Sequence, residues 1–214
     1  MKILTFRGTE VHAIPSFLIL IGLFVLLALE RGQPWQEAAL WIPVIFLSVL
    51  FHEAGHAAAN AALGLGPSLI VLGGYGGFTV NREKRKAWQD VVVSVAGPIF
   101  SFILAGLVFV LKSQFEFVER DPMLASLIPL LLVANIVWGI FNLLPVFPMD
   151  GGQALYGVVR YLAKPRSALL ISIWSSMILG GGLLVLGLLS GQFFVSIILA
   201  FLLYQNYQRL QMMG

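Results

Sequence analysis

Three ionisable residues stand together inside an otherwise apolar stretch: His52, Glu53 and His56, in the run Phe51-His-Glu-Ala-Gly-His56. Positions four apart share one face of a helix, so His52 and His56 can both turn toward a single metal ion. Glu53 sits about 100° around the helix from His52, close enough to reach a water activated by the metal rather than the metal itself. A buried, hydrogen-bonded His–Glu cluster is the plain structural alternative. Against it, two of the chain's 3 histidines fall in this pattern. Two histidines are an incomplete set, because a catalytic zinc takes about three protein ligands and keeps one position open. The chain has no cysteine, which excludes thiolate ligands, cysteine nucleophiles and disulfides together. Asp90 and Asp121 lie at the edges of apolar runs, where capping explains them. Asp150 differs, standing in Asn142-Leu-Leu-Pro-Val-Phe-Pro-Met-Asp-Gly-Gly152. Pro145 and Pro148 end the preceding helix, and Gly151 and Gly152 open backbone angles closed to other residues. A segment broken in this way can carry its carboxylate inward.

The elements that must hold these groups follow from composition. Apolar residues make up 59% of the 214 and charged residues 11%, against about 45–50% and 25% in soluble domains. With a mean hydropathy of +0.92, a soluble enzyme is excluded and a polytopic membrane protein is expected. The 13 basic side chains exceed the 10 acidic ones only slightly, and they flank apolar segments instead of forming a nucleic-acid patch. A spanning helix needs about 20 mostly apolar residues. Six stretches are candidates: Ile14–Leu29, Trp41–Leu63, Val91–Leu111, Leu124–Leu144, Ala168–Leu189 and Phe193–Tyr207. No small-residue cleavage site follows the first, so it reads as a span and not as a cleaved signal. Ser68–Val80 alternates β-favouring residues with glycines and predicts a hairpin. The expected fold class is an all-α polytopic membrane protein with six transmembrane helices and a short membrane-associated β-hairpin loop between helices 2 and 3. One domain over residues 1–214 is expected.

Loop charges set an orientation. With the N-terminus cytosolic, the inner side carries Lys2, Arg7, Arg82, Lys84, Arg85, Lys86, Arg160, Lys164, Arg166 and Arg209, and the outer side only Arg31, Lys112 and Arg120. Both termini are then cytosolic. The second and fourth spans both run outside to inside, with His52 roughly 16 Å from the cytosolic end of its helix. Asp150, on the same side, can dip inward to meet the histidines.

At these residues the sequence resembles the site-2 protease family, intramembrane zinc metalloproteases. His52-Glu53-Ala54-Gly55-His56 is similar to the family's zinc helix, and Asn142 through Gly152 to its Asn-x-x-Pro…Asp-Gly-Gly element. Ala96-Gly97-Pro98 resembles its small-residue signature, and Gly73-Gly74-Tyr75-Gly76-Gly77 falls where members place a membrane-associated β-loop. The resemblance implies one Zn2+ per chain on His52, His56 and Asp150, with Glu53 as general base. It implies an active-site role for Asn142 on the substrate backbone or developing oxyanion, equally well read as bonding carbonyls freed at the helix break. An exposed hairpin edge at Gly74, Tyr75, Gly76 and Gly77 could hold an unwound substrate by strand addition, and a closed hairpin that plugs the bundle is the alternative. The substrates the resemblance implies are single-span or multi-span membrane proteins in the lipid bilayer. The expected location is the plasma membrane of a prokaryote, as a multi-pass protein. Ser101 stands where many relatives have asparagine and Gln153 where arginine is common; neither is an expected metal ligand, so the departures bear on substrate details and not on the chemistry. The Gly64–Asp90 loop and the tail after Tyr207 are too short for a PDZ or nucleotide-sensing domain.

Three rival functions are a catalytically silent homologue that binds membrane proteins, a non-haem iron oxidase built on two histidines and a carboxylate, and a transporter whose charges mark a pathway. Glu53 and three ligand candidates count against the first, and the scarcity of histidine against the second. The charge asymmetry also generates a test. Reporter fusions after Arg31, Arg85, Arg120 and Arg166 should alternate outside, inside, outside, inside; any other order breaks the shared-side argument for Asp150.

Overall fold

The six apolar runs are long enough to bury a helix on all sides, and each folds as helix; the segments that alternate with glycine fold as strand. The computed structural model describes residues 1–115 and 120–213. In chain order the elements are β1 (Lys2–Phe6), β2 (Thr9–Ala13), α1 (Ser16–Glu30), α2 (Trp35–Ala38), α3 (Trp41–Ala62), β3 (Leu69–Gly73) and β4 (Gly76–Val80). There follow α4 (Ala87–Gln114), α5 (Pro122–Asn142), α6 (Asp150–Val159), α7 (Pro165–Leu189) and α8 (Phe193–Met213). Among the described residues, four helical segments are long and apolar enough to cross a membrane: Trp35–Ala62, Ala87–Gln114, Pro122–Asn142 and Pro165–Leu189. Helix α1 is apolar but has 15 residues. Helix α8 dilutes its apolar character with Gln205, Asn206, Gln208 and Arg209.

The expectation of an all-α chain with one hairpin is corrected here. Strands β3 and β4 do pair as an antiparallel hairpin between α3 and α4, with Leu72 opposite Gly77 and Ile70 opposite Thr79. They are half of a four-stranded sheet in the order β1-β2-β3-β4. Strand β2 joins β3 in parallel, Val11 opposite Ile70, and β1 pairs antiparallel on its outer side. The N-terminal strands are short, carry Lys2 and Glu10 with Arg7 in the turn between them, and precede an apolar run; nothing in their local pattern announces a partner more than fifty residues on.

The chain packs as two compact units, one of Met1–Glu83 with Ala96–Phe141 and one of Lys84–Val95 with the residues from Asn142 on. In the first unit Val11, Ile70 and Leu72 of the sheet pack on Phe17, Leu20 and Ile21 of α1 and on Ile45, Val49 and Ala57 of α3. A second cluster joins Val44, Val108, Ile128 and Leu131. Between α5 and α3 the Asn135 side-chain amide donates to Ser48 Oγ at 2.9 Å, as an interhelical polar contact in an apolar bundle should. In the second unit α7 and α8 form a hairpin, and a Cβ at Gly180 would lie 2.9 Å from Leu203. Large apolar side chains such as Leu18, Ile19, Ile178 and Ile197 face outward, which in a soluble protein would be an aggregation liability and in a bilayer is the required surface.

Candidate metal centre

Helix α3 brings its two histidines together one turn apart. Their Nε2 atoms lie 3.3 Å from each other, and the rings meet edge to face at 78°. Two metal–imidazole bonds of about 2.0–2.1 Å at a tetrahedral angle separate the nitrogens by about 3.3 Å, so the spacing fits a shared ion. Ligand atoms of His52, Glu53 and His56 all fall within 4.8 Å of one another, and the residues are only 2%, 4% and 7% exposed. Two nitrogen lone pairs cannot face each other in a dry interior without a proton or a cation between them.

Room for this arrangement comes from glycine. A Cβ at Gly97 of α4 would stand 2.7 Å from His52 Nε2 and closer still to His56 Nε2. No side chain fits there. Gly97 belongs to the Ala-Gly-Pro signature, and its position explains the small residue in steric terms. One turn further along α4, Ser101 Oγ lies 3.0 Å from His52 Nδ1. In the sequence Ser101 is no more than a departure from the family's pattern; its observed neighbour is a metal-ligand candidate.

Strand β4 covers Glu53 from the other side. Alternate residues of a strand share a face, and here they are Gly77 and Thr79. A Cβ at Gly77 would lie 2.5 Å from Glu53 Cγ, while the Thr79 hydroxyl donates to Glu53 Oε2 at 2.7 Å. Sequence reasoning missed Thr79, although the two-residue period from Gly77 was a usable signal. Of the other loop residues singled out, Gly74 donates its N–H to Ser16 Oγ at 3.0 Å, Gly76 packs on Trp138, and Tyr75 is exposed.

Asn142 and Asp150 stand in the second unit. Helix α5 ends at Asn142, and α6 starts at Asp150, a buried carboxylate in a first helical turn, where the helix dipole favours it. The segment between is tightly held. The Phe147 N–H donates to Ser176 Oγ at 2.6 Å, its carbonyl accepts from the Asn206 amide, and the Arg209 guanidinium lies 4.7 Å over its ring. The other two aspartates are otherwise engaged. Asp90 pairs with Arg160, and Asp121 caps α5 by accepting from Met123 and Leu124 N–H at 2.9 and 3.0 Å. His12 pairs with Glu10 at 2.9 Å on the sheet.

The pattern of the Peptidase M50B-like family matches residues 16–189, which hold the histidine pair, Glu53 and Asp150 alike. The chain belongs to that peptidase family. A zinc metalloprotease of Methanocaldococcus jannaschii is 32% identical over 192 residues, covering 89% of this chain and 52% of that protein. A Synechocystis relative, provisionally named a zinc metalloprotease, is 28% identical over 93% of this chain and 56% of its own length. This peptidase-family chain thus spans about half the length of the curated relatives it matches. Its fold is that of the site-2 protease from Methanocaldococcus jannaschii, with a TM-score of 0.70 at 24% identity, over 97% of this chain and 94% of the other.

Two glycines of α4 supply a controlled test. A methyl at Gly97 would occupy the space beside both Nε2 atoms, whereas nothing lies within 4 Å of a Cβ at Gly106. Gly97→Ala should purify folded but with little bound metal by elemental analysis. Gly106→Ala should keep its metal and gain up to about 1 kcal/mol of helix stability.

Proposed function

We propose that the chain is an intramembrane zinc metalloprotease, hydrolysing peptide bonds within or near the transmembrane segments of membrane-protein substrates. The observation that carries this reading is the convergence of two buried imidazole nitrogens at 3.3 Å beside a carboxylate on the same helix. His52, His56 and Asp150 would hold the ion. The zinc-metalloprotease names of the relatives and the match of the donor set to zinc chemistry support the choice of metal. A bound zinc polarises the scissile carbonyl and lowers the pKa of water to about 7.

The chain's own residues do the rest. Glu53 takes a proton from the attacking water and delivers it to the leaving amine, so that water adds across the C–N bond with no net change in the enzyme. Thr79, donating to Glu53 Oε2, leaves the other carboxylate oxygen to face that water. Asn142 hydrogen-bonds the substrate backbone or the developing oxyanion. A protease requires its substrate extended, and β4 ends the sheet; its outer edge, with Gly74, Tyr75, Gly76 and Gly77 at the head of the hairpin, takes an unwound segment by strand addition.

Six spans with both termini cytosolic, in the plasma membrane of a prokaryote, complete the proposal. Strands β2 and β3 exchange hydrogen bonds although α1, α2 and α3 run between them. Paired strands lie on one side of the bilayer, so an even number of crossings separates them, which supports α1 as the partner span of α3. The loop charges favour the same count.

Glu53→Gln keeps the shape of the side chain but cannot accept a proton. It should retain zinc and lose at least about 10²-fold in cleavage of a single-span reporter in liposomes; substantial residual turnover removes Glu53 from the base role. Asp150→Ala should insert normally, lose activity and surrender zinc to a chelator more readily than Glu53→Gln does. Native zinc affinity in Asp150→Ala would put the third ligand elsewhere.

A further inference from the structure

Ser101 has no place in the chemistry described so far, yet it is fully buried and its side chain meets a histidine of the metal centre. Its position is set by helix geometry. Gly97 and Ser101 are four residues apart and share one face of α4, the face on which Gly97 leaves space for the two Nε2 atoms. Ser101 Oγ then reaches His52 Nδ1 at 3.0 Å, on the side of the ring away from His56.

A neutral imidazole carries one N–H, and which nitrogen bears it is decided by the partner of the other. A hydroxyl within a helix can turn its own proton onto the carbonyl one turn back, which frees the oxygen to accept from Nδ1–H. With the proton held at Nδ1, Nε2 keeps its lone pair and points at the space it shares with His56 Nε2, 3.3 Å away. Without that acceptor, nothing from Ser101 holds the proton at Nδ1, and a proton that moves to Nε2 blocks the ligand position.

Resting on the metal reading above, we infer that Ser101 is a positioning residue for the metal centre. It holds His52 in the tautomer and ring orientation that present Nε2 to the ion. Buried and bonded to His52, it acts through that histidine and not on the reacting atoms.

The test uses the full chain in nanodiscs, with zinc affinity read by chelator competition and the ligand field read from cobalt(II) absorption. Ser101→Ala removes one oxygen and substitutes a strong helix former, so the helix itself should hold. Its zinc affinity should fall about 10- to 100-fold, and its cobalt bands should shift or weaken, with the thermal midpoint of the metal-free protein unchanged. Ser48→Ala is the control: it removes another buried serine, bonded to Asn135 at 2.9 Å and not to the histidines, and should leave both readouts native. Native zinc affinity and cobalt spectrum in Ser101→Ala overturn the inference while leaving the metal centre standing. A wild-type chain that binds neither ion overturns both.

Discussion

Two imidazole nitrogens facing each other inside an apolar bundle impose conditions on every element near them. In hydrocarbon no water is at hand to satisfy a stray polar group, so the neighbours must either keep out of the way or offer a hydrogen bond of the right kind. The first unit does both. Gly97 keeps out of the way of the nitrogens and Gly77 out of the way of Glu53; Ser101 and Thr79, each one structural repeat further along, offer a hydroxyl, the first to an imidazole nitrogen and the second as donor to the carboxylate. Helix α4 and strand β4 therefore solve the same problem with the same two residue types. The helical period of about 3.6 and the strand period of 2 each put a small residue and a hydroxyl on one face.

This pairing of gap and hydroxyl also separates what could be read from sequence and what could not. The His52–His56 spacing is a helical constraint within one element, so it was visible before any tertiary structure. The breaks at Pro145 and Pro148 were visible for the same local reason, and α5 does end at Asn142. Contacts between elements were not. Ser101 lies 49 residues from His52 in sequence, and a lone serine in an apolar run carries no local signal. Thr79 was hidden in a strand whose glycines drew the attention. The N-terminal strands were missed because their partner is β3, on the far side of three helices.

The second unit shows a different economy. Both backbone polar groups of Phe147 are taken up by side chains, one from α7 and one from α8, where a regular helix would have used its own ladder. The close turn is packed backbone on backbone: a Cβ at Gly152 would lie 2.5 Å from Phe147 Cα. The non-helical stretch ahead of Asp150 is therefore as tightly specified as the helices on either side, despite lacking their hydrogen bonds. Irregular backbone at membrane depth persists only under such conditions.

The parallel pairing of β2 with β3 has a consequence for how the molecule is made. The ribosome delivers β1 and β2 before β3, but their place in the sheet exists only after β3 has emerged, from beyond α1, α2 and α3. Until then the N-terminal hairpin is a two-stranded ribbon, marginal on its own in water. Closing so long a loop is the slow kind of event in folding, since its entropy must be met before any contact rewards it. Residues made ahead of α1 are thus placed only after residues made beyond α3. Strand β2 is the one that waits, its inner edge open until β3 arrives, while β1 beside it exposes Ile3, Leu4 and Phe6, so this ribbon needs protection from premature association.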